Sequence, residues 1–258
     1  MKIVSYSDLH LEFGGDVVPT PDDDADVMVL CGDIIVIDDI APLEQFLTGW
    51  KKPVLYILGN HEYYGGQPMN ETEERLIEHL SHHLPNVHVL RNEAIEIGGV
   101  NFFGGTMWTD FADRDGLAML RARFVMNDYR RIRPTANRYL APEDTVAMHE
   151  IFVAKVRAWF NLPLPGPRVV ITHHAPTQNP TSRFKGSELQ PAFNSMDMEA
   201  LILTHEPALW LYGHTHECDD HVLGKTRIVS NQSGYPEAAN RFECAEFDAS
   251  GLAVNVAM

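Results

Sequence analysis

Pro53-Val54-Leu55-Tyr56-Ile57-Leu58-Gly59-Asn60-His61-Glu62 is the stretch that decides the fold. An apolar, β-prone run stops at a glycine, and an amide and an imidazole follow at once. A run without polar alternation reads as a strand buried on both faces. The same pattern recurs elsewhere in the chain. Residues 2–7 (KIVSYS) lead into Asp8-Leu9-His10, and residues 26–31 (DVMVLC) lead into Gly32-Asp33. Val169–Thr172 leads into His173-His174, and Pro207–Tyr212 leads into Gly213-His214-Thr215-His216. Between the runs lie helical patterns over 38–49, 71–83 and 142–160, the last with Pro142 and Glu143 suited to a first turn. Strand, loop, helix and strand in repeated order make the class α/β. In such a sheet, ligands bind beyond the carboxyl ends of the strands. Residues far apart in sequence then meet there. Gly32, Gly59 and Gly213 are expected to let the backbone turn sharply as each strand ends.

The residue types at these strand ends are metal ligands. Carboxylates, imidazoles and one amide oxygen suit Mn, Fe, Zn, Co or Ni rather than Ca. No cysteine joins the set, which disfavours a structural zinc knot. Asp33 is the natural bridge, because a carboxylate has two oxygens for two ions. Two divalent ions sharing a water lower its pKa and keep it as hydroxide at neutral pH.

The ordered pattern D-x-H, GD, GNHE, H and GHxH, spread over residues 8–216, resembles the calcineurin-like metallophosphoesterases. The resemblance implies two mixed β-sheets packed face to face and flanked by helices, a four-layer sandwich. It implies Asp8, His10, Asp33 and His216 around a first ion. Asn60, His173 and His214 would hold a second ion, with Asp33 shared. His61 would stand just outside, as general acid to the leaving alkoxide or as a donor to phosphate oxygens. The implied reaction is hydrolysis of a small phosphorylated substrate by a hydroxide bridging the two metals. A phosphodiester is expected first, a phosphomonoester or nucleotide pyrophosphate as the alternatives. The GDxVDRG form found in protein Ser/Thr phosphatases is replaced by Gly32-Asp33-Ile34-Ile35-Val36-Ile37-Asp38, which argues against that branch. The small bacterial phosphodiesterases are the nearer likeness. A metal-poor, protein-binding scaffold is the rival from another class, but such members lose ligands and here every position is filled.

The remaining signals are weaker. Of the doubled pair, His173 is the expected ligand because it directly follows the strand, and His174 would face the substrate or stand behind. Glu62 is expected to support its turn. Seven arginines (Arg114, Arg121, Arg123, Arg130, Arg131, Arg133 and Arg138) crowd a segment about 106–141. They read either as a cap that grips phosphate through bidentate contacts or as solvated charge offsetting Asp113, Asp115 and Asp128. Met119, Phe124 and Met126 are expected to pack under that segment. Asn231 and Tyr235, in SNQSGYP, read as turn residues that could approach the site. His79, His82 and His83 read as a solvated helix face, and Cys218 as an inert thiol.

In bulk the chain of 258 residues carries a net charge of −16, with 45% hydrophobic residues. Attraction to nucleic acid or to an anionic membrane is not expected from that balance. Three cysteines without a CxxC pair make no disulfide framework. The start MKIVSYSD reads as a strand rather than a signal peptide, so the cytoplasm is the expected compartment. With no repeat or linker, residues 1–258 are expected to form one domain. The oligomeric state is left open.

Overall fold

The computed structural model describes residues 1–14, 17–19, 25–180, 182–238 and 241–257. A first sheet is built from β1 (Lys2–Tyr6), β2 (Val27–Leu30), β3 (Val54–Tyr56), β4 (Val87–Val89) and a strand from the far end of the chain. Within it β1, β2, β3 and β4 are parallel neighbours. The far strand, Leu252–Asn255, pairs antiparallel with β1 at the edge.

The second sheet begins with an antiparallel hairpin, β5 (Glu93–Ile97) and β6 (Val100–Gly105). It continues in parallel through β7 (Arg168–Thr172) and β8 (Leu209–Tyr212) to β10 (Thr226–Ser230), and closes with antiparallel β9 (Asp219–Leu223). A two-stranded ribbon, β11 (Pro236–Ala238) and β12 (Arg241–Phe242), follows, and β13 (Leu252–Asn255) is the edge strand of the first sheet.

Alternation within each strand assembles the layers. Ile3, Val27, Val29, Leu55 and Ile57 of the first sheet share one buried cluster with Phe102, Val169, Ile171, Leu209 and Val229 of the second. The two sheets therefore pack face to face. The opposite side chains of the first sheet, Val4, Tyr6, Met28 and Tyr56, bury against α1 (Ala41–Phe46) and α2 (Met69–His83) through Leu43, Phe46, Leu76 and Leu80. The segment after β6 joins this outer layer through Ala118, Ala122, Ile132 and Leu140. It holds α3 (Phe111–Arg114), α4 (Gly116–Val125) and α5 (Asp128–Arg131). On the far side, Phe103, Val170, Trp210 and Ile228 pack against α6 (Pro142–Phe160) and α7 (Met198–His205) through Phe152, Val156, Trp159 and Ile202. Helix, sheet, sheet and helix give the four-layer α/β sandwich.

One helix boundary differs from expectation. The helix expected over 38–49 is the shorter α1, because Gly49 turns with φ 88° and Leu47 already leaves helical geometry. After β12 the chain turns at Cys244–Phe247. Residues 11–25 lie partly outside the described residues, and Leu11–Phe13 forms a turn of 3-10 helix. No described helix is long and apolar enough to cross a membrane.

Candidate metal centre

β1, β2 and β3 point their carboxyl ends the same way, and so do β7 and β8 in the other sheet. Asp8, Asp33, Asn60, His173 and His214 come one to four residues after those strands. Backbone and side-chain contacts lace the loops together across the two sheets. The amide of Asp8 donates to the carbonyl of Gly32 (3.0 Å), and the amide of His214 donates to the Asp8 carboxylate (3.0 Å). His173 Nδ1 donates to the carbonyl of Cys31 (2.8 Å).

Close approach, more than turning, explains two of the three glycines. Gly32 does turn in the left-handed region, with φ 93°. At Gly59 a Cβ would collide with the Asp33 carboxylate and amide, and at Gly213 with Ser7 Oγ and Asp8 Oδ2. Neither of these two glycines has positive φ. Their role is to leave room for the acidic side chains.

The expected site residues meet in two neighbouring groups. Asp8, His10, Asp33 and His216 offer ligand atoms all within 4.8 Å of one another, and so do Asp33, His173 and His214. Asp33 belongs to both. Its Oδ2 lies 3.9 Å from His10 Nε2, and its Oδ1 lies 3.3 Å from His173 Nε2. The side chains of this set are almost wholly buried; only His216 keeps a little exposure.

The donor chemistry fits cations. His10 Nδ1 faces Glu12 Oε1 (3.3 Å), and His216 Nδ1 faces Glu243 Oε2 (2.6 Å). Those carboxylates can only accept, so both Nδ1 atoms carry protons, and in the neutral imidazoles both Nε2 atoms keep lone pairs. The two Nε2 atoms nevertheless stand 3.1 Å apart. A positive charge between them removes the repulsion. At His173 the Nδ1 is committed to Cys31, while Nε2 faces two acceptors, Asn60 Oδ1 at 3.0 Å and Asp33 Oδ1 at 3.3 Å, so a proton or a cation belongs between them. Asn60 gives its amide hydrogens to Asp128 (3.0 Å) and the Tyr64 hydroxyl (3.2 Å), leaving its oxygen for the site. His214 Nε2 is buried with no hydrogen-bond partner among the described residues. Buried polar atoms are rarely orphaned without a reason, and a role as a metal ligand supplies one.

Charge follows the same geometry. Burial works against a charged His173, but the Asp33 carboxylate outweighs it and holds the pKa up to about 10. Burial also opposes ionisation of Asp33, yet His173 and His61 hold its carboxyl well below the usual range. Burial and the neighbouring imidazoles push His214 well down, so it is a neutral nitrogen donor.

His61 stands outside both groups. Its amide donates to Asp33 Oδ1 (2.9 Å), and its Nδ1 pairs with Glu12 Oε1 (3.1 Å). Tyr64 stacks on its ring at 4.2 Å. Glu62 does support the turn: its carboxylate accepts from the amides of Gly59, Asp33 and Ile34 and from the Tyr56 hydroxyl. His174 packs behind, with its ring 4.0 Å from that of His214 and its Nδ1 toward the Thr106 carbonyl.

A pocket of about 250 Å³ opens over Asp33, Asn60, His61, His214 and His216. Its walls are Tyr64, Val125, Met126, Asn127, Asp128, Arg183, Phe184, Phe193, Tyr235 and Glu243. The segment 106–141 thus contributes a wall, including Met126, but none of its arginines lines it. Arg114, Arg121, Arg123 and Arg138 instead make exposed pairs with Glu150, Glu188, Glu143 and Asp144. Arg131 lies over the Tyr64 ring. The arginine of the pocket is Arg183, paired with Glu243 (2.7 Å).

Four contributors were missed or set aside in the sequence. Glu12 could have been found two residues beyond His10. Tyr235 comes from a turn, yet its hydroxyl lies 3.1 Å from His61 Nε2. Arg183 and Glu243 arrive by packing and carry no spacing signal. Asn231 is structural, with its amide donating to the Ser5 and Asp248 carbonyls. Cys218 is not isolated: its sulfur lies 3.0 Å from that of Cys244. His79 is not merely solvated, since it contacts Glu44 at 2.8 Å.

Comparison with known proteins agrees with the fold. A family model described as calcineurin-like phosphoesterase matches residues 1–218. An uncharacterized protein of Acanthamoeba polyphaga mimivirus is 27% identical over 272 residues, covering 94% of each chain. Among solved structures, the phosphopantetheinyl hydrolase of Mycobacterium tuberculosis superposes with a TM-score of 0.69 at 18% identity, over 91% of this chain and 90% of that one. A Thermus thermophilus protein gives 0.54 at 18% identity, over 90% and 88%. A putative 5′-nucleotidase of Staphylococcus aureus gives 0.51 at 13% identity, over 89% of this chain and 48% of that one.

Proposed function

Because this chain belongs to the calcineurin-like phosphoesterase family, we propose that it hydrolyses phosphate esters at a two-metal centre, with phosphodiesters as its favoured substrates. The observation that carries the reading is Asp33, whose two carboxylate oxygens face two separate groups of buried nitrogen and oxygen donors. Asp8, His10, Asp33 and His216 would hold one divalent ion. Asp33, Asn60, His173 and His214 would hold the other. Such a pair supplies Lewis-acid polarisation of phosphoryl oxygens and an activated water at neutral pH.

The residues themselves do the rest. Glu12 and Glu243 fix the tautomers of His10 and His216 and so aim their Nε2 atoms inward. Asp128 and Tyr64 orient the Asn60 amide. His61, paired with Glu12, serves as the proton source for the leaving oxygen. Burial opposes its charge, but Asp33 and Glu12 raise its pKa, which favours the protonated form an acid needs. The pocket brings few positive charges of its own, and Arg183 is already paired with Glu243. That balance favours the single negative charge of a diester over the double charge of a monoester.

The test is a hydrolysis screen of the Mn(II)-loaded protein on bis-nitrophenyl phosphate, nitrophenyl phosphate, cyclic nucleotides and nucleotide diphosphate sugars. The expected result is faster turnover of the diester, abolished by a chelator. Faster monoester turnover transfers the reading to a phosphomonoesterase. No hydrolysis under any divalent metal overturns it.

A further inference from the structure

The pocket places a phenol where the mechanism needs a proton. Tyr235 is 42% exposed, so a ligand in the pocket can reach it. Its ring lies 4.5 Å from that of His10 and 4.7 Å from that of His216. Its hydroxyl sits 3.1 Å from His61 Nε2. The turn that carries it is anchored: its amide donates to Glu243 Oε2 (3.3 Å), and the Glu243 amide donates to its carbonyl (3.1 Å).

His61 has few other ways to deliver a proton. Its Nδ1 is committed to Glu12, Tyr64 covers one face of the ring, and the His10 ring meets it edge to face at 4.4 Å. Its other ring nitrogen, Nε2, has the Tyr235 hydroxyl as its partner among the described residues.

We propose that Tyr235 is a second catalytic residue, which passes the proton of His61 to the leaving oxygen; this rests on the phosphoesterase reading above. As the bond from phosphorus to the leaving oxygen breaks, the electron pair stays on that oxygen. The oxygen takes the hydroxyl proton of Tyr235. Tyr235 takes the Nε2 proton of His61, which ends neutral with Nδ1 still on Glu12. No oxidant or further reactant is required.

The test compares Tyr235→Phe, His61→Ala and the double variant on an alkyl nitrophenyl phosphate, on a dialkyl phosphate and on bis-nitrophenyl phosphate. A nitrophenolate leaves without help, whereas an alkoxide needs the proton. Tyr235→Phe should therefore lose about 100-fold on the dialkyl ester and only about threefold on the nitrophenyl esters. The double variant should be no slower than His61→Ala alone, since both act on one proton. A second readout needs no turnover: in the metal-free protein, the ¹⁵N resonance of His61 Nε2 should move in Tyr235→Phe while Nδ1 stays. Equal losses on all esters, a dialkyl rate within twofold of wild type, or an unmoved Nε2 resonance would overturn the relay. Hydrolysis of bis-nitrophenyl phosphate by the wild type upholds the phosphoesterase reading in every one of those cases.

Discussion

Asp8, His10, Asp33, His214 and His216 all have positive φ, between 46° and 73°. Side chains with a Cβ visit that region at a cost of about 1–2 kcal/mol each. Five such residues in one place are explained by what their side chains must do. Each turns back over the end of its strand to face a common point. The cost is offset by the hydrogen bonds that pin the loops, such as the amides donated to Asp8 and by Asp33 to Glu62. Protonation competes with metal at this scale. Without a cation, His173 holds a proton up to a pKa of about 10, despite its burial, because of Asp33. An ion that binds Nε2 must displace that proton. Below pH 10 the site therefore binds more tightly as pH rises. Calorimetric titration with Mn(II) should show affinity growing about tenfold per unit between pH 6 and 8. A flat profile would mean that His173 is not a ligand.

At the level of elements, Glu62 ties the ends of two strands together. It accepts from Asp33 and Ile34, beyond β2, and from Tyr56 and Gly59, in and beyond β3. Glu62→Gln exchanges one accepting oxygen for an NH2 group that must face donors. Buried donors left unsatisfied cost about 1–3 kcal/mol each, so a loss of about 3 kcal/mol is expected in urea unfolding. A change below about 0.5 kcal/mol would show that the carboxylate is not structural. The strands that carry ligands were legible because each is apolar on both faces and ends abruptly at a polar island. β9 was not, since Asp219-Asp220-His221-Val222-Leu223 is a partly exposed edge strand with no apolar run. α7 was hidden for the opposite reason: Met198–His205 is apolar around much of its surface and lacks a helical stripe. The candidate metal ligands could be read from short motifs, whereas Tyr235, Arg183 and Glu243 reach the pocket only through packing of late loops. Four of the seven arginines pair with Glu143, Asp144, Glu150 and Glu188, which lie beyond the segment and become neighbours only on folding.

For the whole molecule, a net charge of −16 surrounds the proposed cation centre. The field of the protein attracts divalent metals and opposes polyanions. A small ester whose charge is cancelled inside the pocket suits that balance better than a long nucleic acid. The two sheets serve the same end. Each alone presents half of the candidate ligand set, and their face-to-face packing brings Asp8 and Asp33 of one against His173 and His214 of the other. Asp33 is the joint between the two halves. Native mass spectrometry of the Mn(II)-loaded protein counts the ions directly. The account predicts two per chain in the wild type and at most one in Asp33→Asn. A wild type that holds one or none, or an Asp33→Asn variant that keeps both, would contradict it.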